Sequence, residues 1–199
     1  MKKAIFFVCI FHAAVSCNSK EKNIVLEEKI AKTVPRLYVP AEDPNFMKRQ
    51  DTICFKNDLF TGCCFSLYPN GDTMFIRLYF NGVEEGLQQE WFPGRQIAER
   101  RFYINGRKEG LHEGWWPNRK RKFFFSAYNN EYNGPFYEWY ASGLLGKAFH
   151  YYAGREEGSQ RLWWDNGTVR ANYVVKKGKK YGLIGIKTCV NPYDSIKTN

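Results

Sequence analysis

The stretch Leu111-His112-Glu113-Gly114-Trp115-Trp116-Pro117-Asn118 decides the fold, because it is one copy of something that recurs. The glycine before it belongs to a series, Gly62, Gly86, Gly110, Gly134, Gly158 and Gly182, with members 24 residues apart. Five residues after the first five glycines come Leu67, Trp91, Trp115, Trp139 and Trp163. The next position is always aromatic: Tyr68, Phe92, Trp116, Tyr140 and Trp164. A second turn signal, Gly82, Gly106, Asn130, Gly154 and Gly178, stands four residues before each later glycine. A fixed period of this length marks a repeat array.

Each period holds two short runs divided by turn residues. The first ends on the aromatic pair, as in Leu87-Gln88-Gln89-Glu90-Trp91-Phe92, and a turn such as Pro69-Asn70-Gly71 or Asp165-Asn166-Gly167 follows. The second run, for example Phe75-Ile76-Arg77-Leu78-Tyr79-Phe80, leads into Asn81-Gly82. Aromatic-rich runs bounded by Asn-Gly read as strands in hairpins, with both turn residues at positive φ. No helical periodicity is sustained between residues 60 and 186. Alternation along the first strand puts Trp91, Trp115, Trp139 and Trp163 on one face with Leu87, Leu111 and Leu183. That face is expected to be the buried seam. The other carries Phe92, Trp116, Tyr140 and Trp164 among polar residues and is expected to be partly exposed.

At these residues the chain resembles the MORN-repeat proteins, in particular the bacterial variant repeat. Gly86-Trp91-Phe92, Gly110-Trp115-Trp116-Asn118 and Gly158-Trp163-Trp164-Asn166-Gly167 carry the likeness, with the links Tyr79-Phe80-Asn81-Gly82 and Tyr103-Ile104-Asn105-Gly106. The likeness implies an all-β fold, an elongated single-layer antiparallel sheet of successive 24-residue hairpins. It also implies protein-binding or lipid-associated scaffolding, with some bacterial members antitoxin-like.

Working outward, residues 46–186 form the array, and Cys54-Phe55-Lys56-Asn57-Asp58 aligns one period before Leu78-Tyr79-Phe80-Asn81-Gly82 as an incomplete first unit. Residues 1–16 read as a secretory signal: Met1-Lys2-Lys3, then an apolar run of about a dozen residues, too short to span a bilayer. Ala14-Val15-Ser16-Cys17 resembles the bacterial lipobox, which implies lipidation of Cys17 and anchoring in the envelope, at the outer membrane. The other reading is plain cleavage after Ser16. Residues 17–45, with Pro35, Pro40 and Pro44, read as a tether, and Val25, Leu26 and Ile30 are candidates to cover the first sheet edge. Residues 187–199 leave the pattern, with Ile184, Ile186 and Val190 as candidates to close the last edge.

Basic residues number 30 against 20 acidic, and without Lys2 and Lys3 the excess falls from ten to eight. That balance favours acidic partners in a salt-dependent way. In an oxidising compartment Cys54 is in range of Cys63 or Cys64 on the next strand, whereas Cys189 lies several strands away.

The sequence offers no catalytic constellation. His112 and His150 occupy different repeat phases. Glu85, Glu109 and Glu157 precede the repeat glycine at one phase, as expected of solvated turn residues. No nucleophile elbow or phosphate loop is present, and no cofactor, metal or nucleic acid is expected. The expected function is a non-catalytic envelope lipoprotein that docks another envelope protein. Aromatic and arginine residues commonly anchor interfaces, which points to Phe92, Trp116, Tyr140 and Trp164 with Arg77, Arg101 and Arg161. The alternatives are an immunity protein that neutralises a toxin, and a binder of acidic polysaccharide or lipid headgroups.

Overall fold

The structure, a computed structural model, describes residues 31–185. The signal segment, Cys17, the residues Val25, Leu26 and Ile30, and Ile186, Cys189 and Val190 lie outside them. The described residues contain strands and no helix: β1 (Tyr38–Pro40), β2 (Phe46–Arg49), β3 (Thr52–Phe55), β4 (Asp58–Leu59), β5 (Gly62–Leu67), β6 (Thr73–Phe80), β7 (Val83–Glu84), β8 (Gly86–Phe92), β9 (Gln96–Ile104), β10 (Arg107–Lys108), β11 (Gly110–Trp115), β12 (Arg121–Tyr128), β13 (Glu131–Trp139), β14 (Leu145–Tyr152), β15 (Arg155–Glu156), β16 (Gly158–Trp163), β17 (Val169–Lys176) and β18 (Lys179–Leu183). The chain is all-β. One large sheet runs β1-β5-β6-β8-β9-β11-β12-β13-β14-β16-β17-β18, with the short β7, β10 and β15 paired to β6, β9 and β14. All pairings in it are antiparallel except β1 with β5.

The turn residues behave as their chemistry requires. Asn81-Gly82 has φ of 49° and 78°, and Asn105-Gly106 has 50° and 72°, two consecutive left-handed residues that close a tight hairpin. Ala153 and Lys177 occupy the same first position at 46° and 50°, where a side chain with a Cβ is strained.

The two ends depart from expectation. Tyr38–Pro40, inside the presumed tether, adds a parallel strand against Cys63–Phe65 and covers the first edge. Residues 46–59 do not extend the array; β2, β3 and β4 form a separate three-stranded sheet. The expected bridge from Cys54 to Cys63 or Cys64 is not formed. Cys54 faces Met47 and Leu59 across the small sheet, and all three cysteines are buried free thiols. Burial pushes the Cys64 thiol up to about 11. At the far end Leu183 and Ile184 are exposed.

The same irregularity recurs in each long hairpin. Gly114 pairs with Phe123, but Trp115 pairs with Arg121, which leaves Lys122 as an extra residue. The same shift sets apart Met74, Ala98, Gly146 and Arg170. Each is a β-bulge on the second strand of its hairpin, where the first strand steps onto the tryptophan phase, and bulges re-aim side chains.

The buried face is the reverse of the one expected. The residue two after each glycine from Gly62 to Gly158 is interior: Cys64 is buried, Gln88 is 5% exposed, His112 0%, Phe136 5% and Gln160 0%, whereas Leu87 is 41% and Leu111 56% exposed. Trp91, Trp115, Trp139 and Trp163 are half-buried. The main apolar cluster, Phe125, Ala127, Phe136, Phe149, Ala171, Tyr173 and Val175, lies on the glutamine and histidine face. A second cluster joins Val39, Phe60, Cys64 and Tyr79 at the start of the sheet.

Polar side chains are interior because the paired strands of neighbouring hairpins separate. Between β6 and β8 only Phe75–Glu90 and Ile76–Gln89 pair. Beyond that point Gln88 fills the gap: Leu78 N–H donates to Oε1 at 2.6 Å, and Nε2 donates to the Leu78 carbonyl at 2.9 Å. Gln160 repeats this with His150 three repeats further on, between β14 and β16. An amide is the one side chain that can replace a peptide group in both senses.

Candidate functional site

The carboxylates before the repeat glycines are structural. Glu85 and Glu109 are buried, contrary to the expectation of solvated turns. Glu85 accepts from Asn105 N–H at 2.7 Å and Glu109 from Asn129 N–H at 2.8 Å, so each caps a turn in the next hairpin. Thr61 does the same for Asn81 N–H. Glu157 is exposed. Among the described residues no group of three or more His, Cys, Asp or Glu side chains is placed to hold a metal ion.

The aromatics of the position after the tryptophan phase tie one hairpin to the next. Tyr68 Oη donates to the Trp91 carbonyl, Trp116 Nε1 to the Trp139 carbonyl, and Tyr140 Oη to the Trp163 carbonyl, each at 2.9 Å. Trp116 and Tyr140 are half-buried, and Trp164 is exposed. Phe92 is half-buried and has no polar atom to donate.

The three arginines expected beside these rings separate. Arg77 and Arg101 lie on the buried face, held by Glu90 at 2.6 Å and Glu99 at 2.7 Å. With Glu84, Gln88 and Tyr103 they line a small cleft of about 220 Å³, in which burial pushes the Glu84 carboxyl up. Their charge is used within the sheet. Arg161 pairs with Ala148 and Asn172 in the odd phase of its strand, on the opposite face from Gln160, and is exposed.

Sequence reasoning missed the cations that do meet the aromatic row. Lys122 Nζ stands 5.0 Å from the Trp116 ring centroid, and the Arg170 guanidinium 4.7 Å from that of Trp164. Lys147 Nζ lies 4.3 Å from Phe136 and 4.7 Å from Phe149. Lys122 and Arg170 are bulge residues, and no sequence signal marks a bulge. None of the three makes an ion pair among the described residues, although Glu138 sits opposite Lys147 in register. Together with Trp116, Tyr140 and Leu162 they line a cavity of about 450 Å³. A pocket of that size holds a small ligand, or one residue of a larger one.

No family model matches the chain, and no curated protein matches it.

Proposed function

We propose that the chain is a non-catalytic binding module of the bacterial envelope, exported and lipid-anchored through Cys17. Its 24-residue units are of MORN type, and its aromatic–cationic face takes acidic material of that envelope. The repeat reading is supported by the strict glycine phase and by bulges at one position of each hairpin. The observation that carries the ligand reading is the set Lys122, Lys147 and Arg170, whose charges stand over aromatic rings and have no carboxylate partner among the described residues. A cation held in this way remains available to an anion, and the ring beside it adds apolar contact. An excess of basic residues over the whole chain brings acidic polymers to the surface.

A protein partner, as scaffold or as neutralised toxin, is the second reading. The exposed Tyr181, Leu183 and Ile184 at the last strand favour it.

Capture of native envelope fragments by the immobilised Cys17→Ser chain separates the two. Retention is expected to survive protease treatment of the fragments, and to be lost after periodate oxidation of their sugars or at high salt. Loss to protease with survival of high salt refutes the acidic-ligand reading and points to a docked protein. In cells the same substitution is expected to move the protein from the membrane to the soluble fraction. Continued membrane association would refute anchoring through Cys17.

A further inference from the structure

The bulge position reads Met74, Ala98, Lys122, Gly146 and Arg170. Where it is Lys or Arg, the side chain covers the aromatic ring of its own repeat. Gly146 breaks this row. Its φ is not in the left-handed region, so the backbone does not require glycine there. Space does: a Cβ at Gly146 would stand 2.9 Å from Tyr140 Cε2. The Tyr140 ring therefore lies against bare backbone, and the missing side chain opens the cavity that Lys122, Lys147 and Arg170 line.

We infer that this cavity is a subsite for one carboxylate-bearing sugar ring, a hexuronate unit of an acidic polysaccharide. The inference rests on the reading that this face takes acidic envelope material, and it names the chemistry of that material.

Four features select a sugar acid over other anions. Trp116 Nε1 and Tyr140 Oη are committed to the carbonyls of Trp139 and Trp163, which also border the cavity. Those two ring donors are then not free for the carbonyls of a peptide main chain, and a peptide group that loses water without a replacement is disfavoured. The rings offer their apolar surface, which suits the C–H face of a pyranose. Glu138 at the rim repels a run of acidic side chains but accepts hydrogen bonds from hydroxyls. Lys122 is on β12, Lys147 on β14 and Arg170 on β17, so each cation is two strands from the next in the order β12-β13-β14-β16-β17. Two strands span roughly 10 Å, about the length of a disaccharide, so along a polyuronate every second acid comes within reach of a cation.

Tryptophan fluorescence of the full Cys17→Ser chain provides the test, since Trp116 borders the cavity. Polygalacturonate and alginate are titrated in, beside neutral dextran, poly-L-glutamate and phosphatidylglycerol vesicles, all at physiological salt. A saturable change is expected with at least one uronate polymer and none with dextran. Poly-L-glutamate and the vesicles are expected to bind roughly tenfold more weakly or not at all. Lys147→Gln and Lys122→Gln should each weaken uronate binding by about tenfold, with the far-ultraviolet circular dichroism unchanged. Arg100→Gln, on the opposite face, should leave binding as it is. Equal or stronger binding of poly-L-glutamate or of vesicles overturns the sugar assignment. So does uronate binding that both lysine variants retain. If neither uronate binds while protease-resistant envelope capture persists, the subsite is wrong and the broader reading stands. If capture fails as well, both fall.

Discussion

His112 gives the sharpest test of the interior. It is fully buried, its ring stacks on Phe125 at 4.8 Å and meets Tyr103 edge-on at 5.7 Å, and neither nitrogen makes a hydrogen bond of good geometry. Burial pushes its pKa down from 6.5 to about 4, with Arg101 and Lys108 acting in the same direction and the Glu109 backbone opposing them. The unfolded chain therefore binds a proton at this residue between those two values when the folded chain does not. Stability from this group is complete above pH 6.5, falls as the pH drops through the interval, and is level below 4. At 1.36 kcal/mol per unit, the loss between pH 7 and pH 4 is about 3 kcal/mol. Other carboxylates titrate in the same range, so the wild-type curve alone is not diagnostic. His112→Phe isolates the effect, because Phe136 already occupies the equivalent place in the next repeat. The variant also removes two poorly bonded polar atoms, which cost about 1–3 kcal/mol when buried. Urea unfolding of both proteins from pH 7 to pH 4 should show the variant more stable throughout. Its advantage should widen by about 3 kcal/mol at the acid end. An advantage independent of pH would refute the buried neutral histidine, and a loss of stability at pH 7 would refute the packing described around it.

The other predictions concern the faces and the turns. Gln160→Leu leaves the His150 N–H and carbonyl without their side-chain partner and should cost about 1–3 kcal/mol in urea unfolding; a neutral result would mean that water replaces the amide. Phe136→Ala should cost about 3–5 kcal/mol and Trp115→Ala about 2 kcal/mol, measured side by side, and the opposite order would restore the tryptophan face as the seam. Ala153→Asn should raise stability by about 1 kcal/mol, seen as a higher urea midpoint, because Asn81, Asn105 and Asn129 hold the same left-handed position elsewhere. No gain would show that the Ala153 backbone is not strained.

The strands and turns were legible because their signals are local. A glycine every 24 residues and Asn-Gly before it fix where the chain reverses, and the backbone obeys. The choice of buried face was not legible. Hydrophobicity ranks Leu111 and Trp115 above His112 and Gln160, and period two then puts the former inside. What overrules it is the separation of neighbouring strands, which leaves peptide groups that only an amide side chain can meet. Cys54 was misplaced for a related reason: its segment matches the repeat in sequence but pairs with β2 and β4. The aromatic row of Trp116, Tyr140 and Trp164 was named from its phase, but its companions were not, since Lys122 and Arg170 reach it through a one-residue shift that leaves no mark in composition. Gly146 stood in plain view as a glycine out of phase, with nothing in the sequence to say what its missing side chain makes room for.

Phe92 carries a consequence for how the sheet moves. Tyr68, Trp116 and Tyr140 fasten their hairpins to the next through a ring donor, but Phe92 has none, and the second hairpin is held to the third by Gln96 Nε2, which donates to the Trp116 carbonyl at 3.0 Å. The two apolar clusters end on either side of that joint, and between them lie the buried Ala98 and Ile104, the Arg77–Glu90 and Arg101–Glu99 pairs and the His112 imidazole. Charged pairs at this exposure resist deformation weakly. The band at β8, β9 and β11 is thus joined to its neighbours mainly through polar side chains, where the rest of the sheet is joined through buried rings. Amide exchange should be fastest in that band, and thermal bending of the sheet should concentrate there.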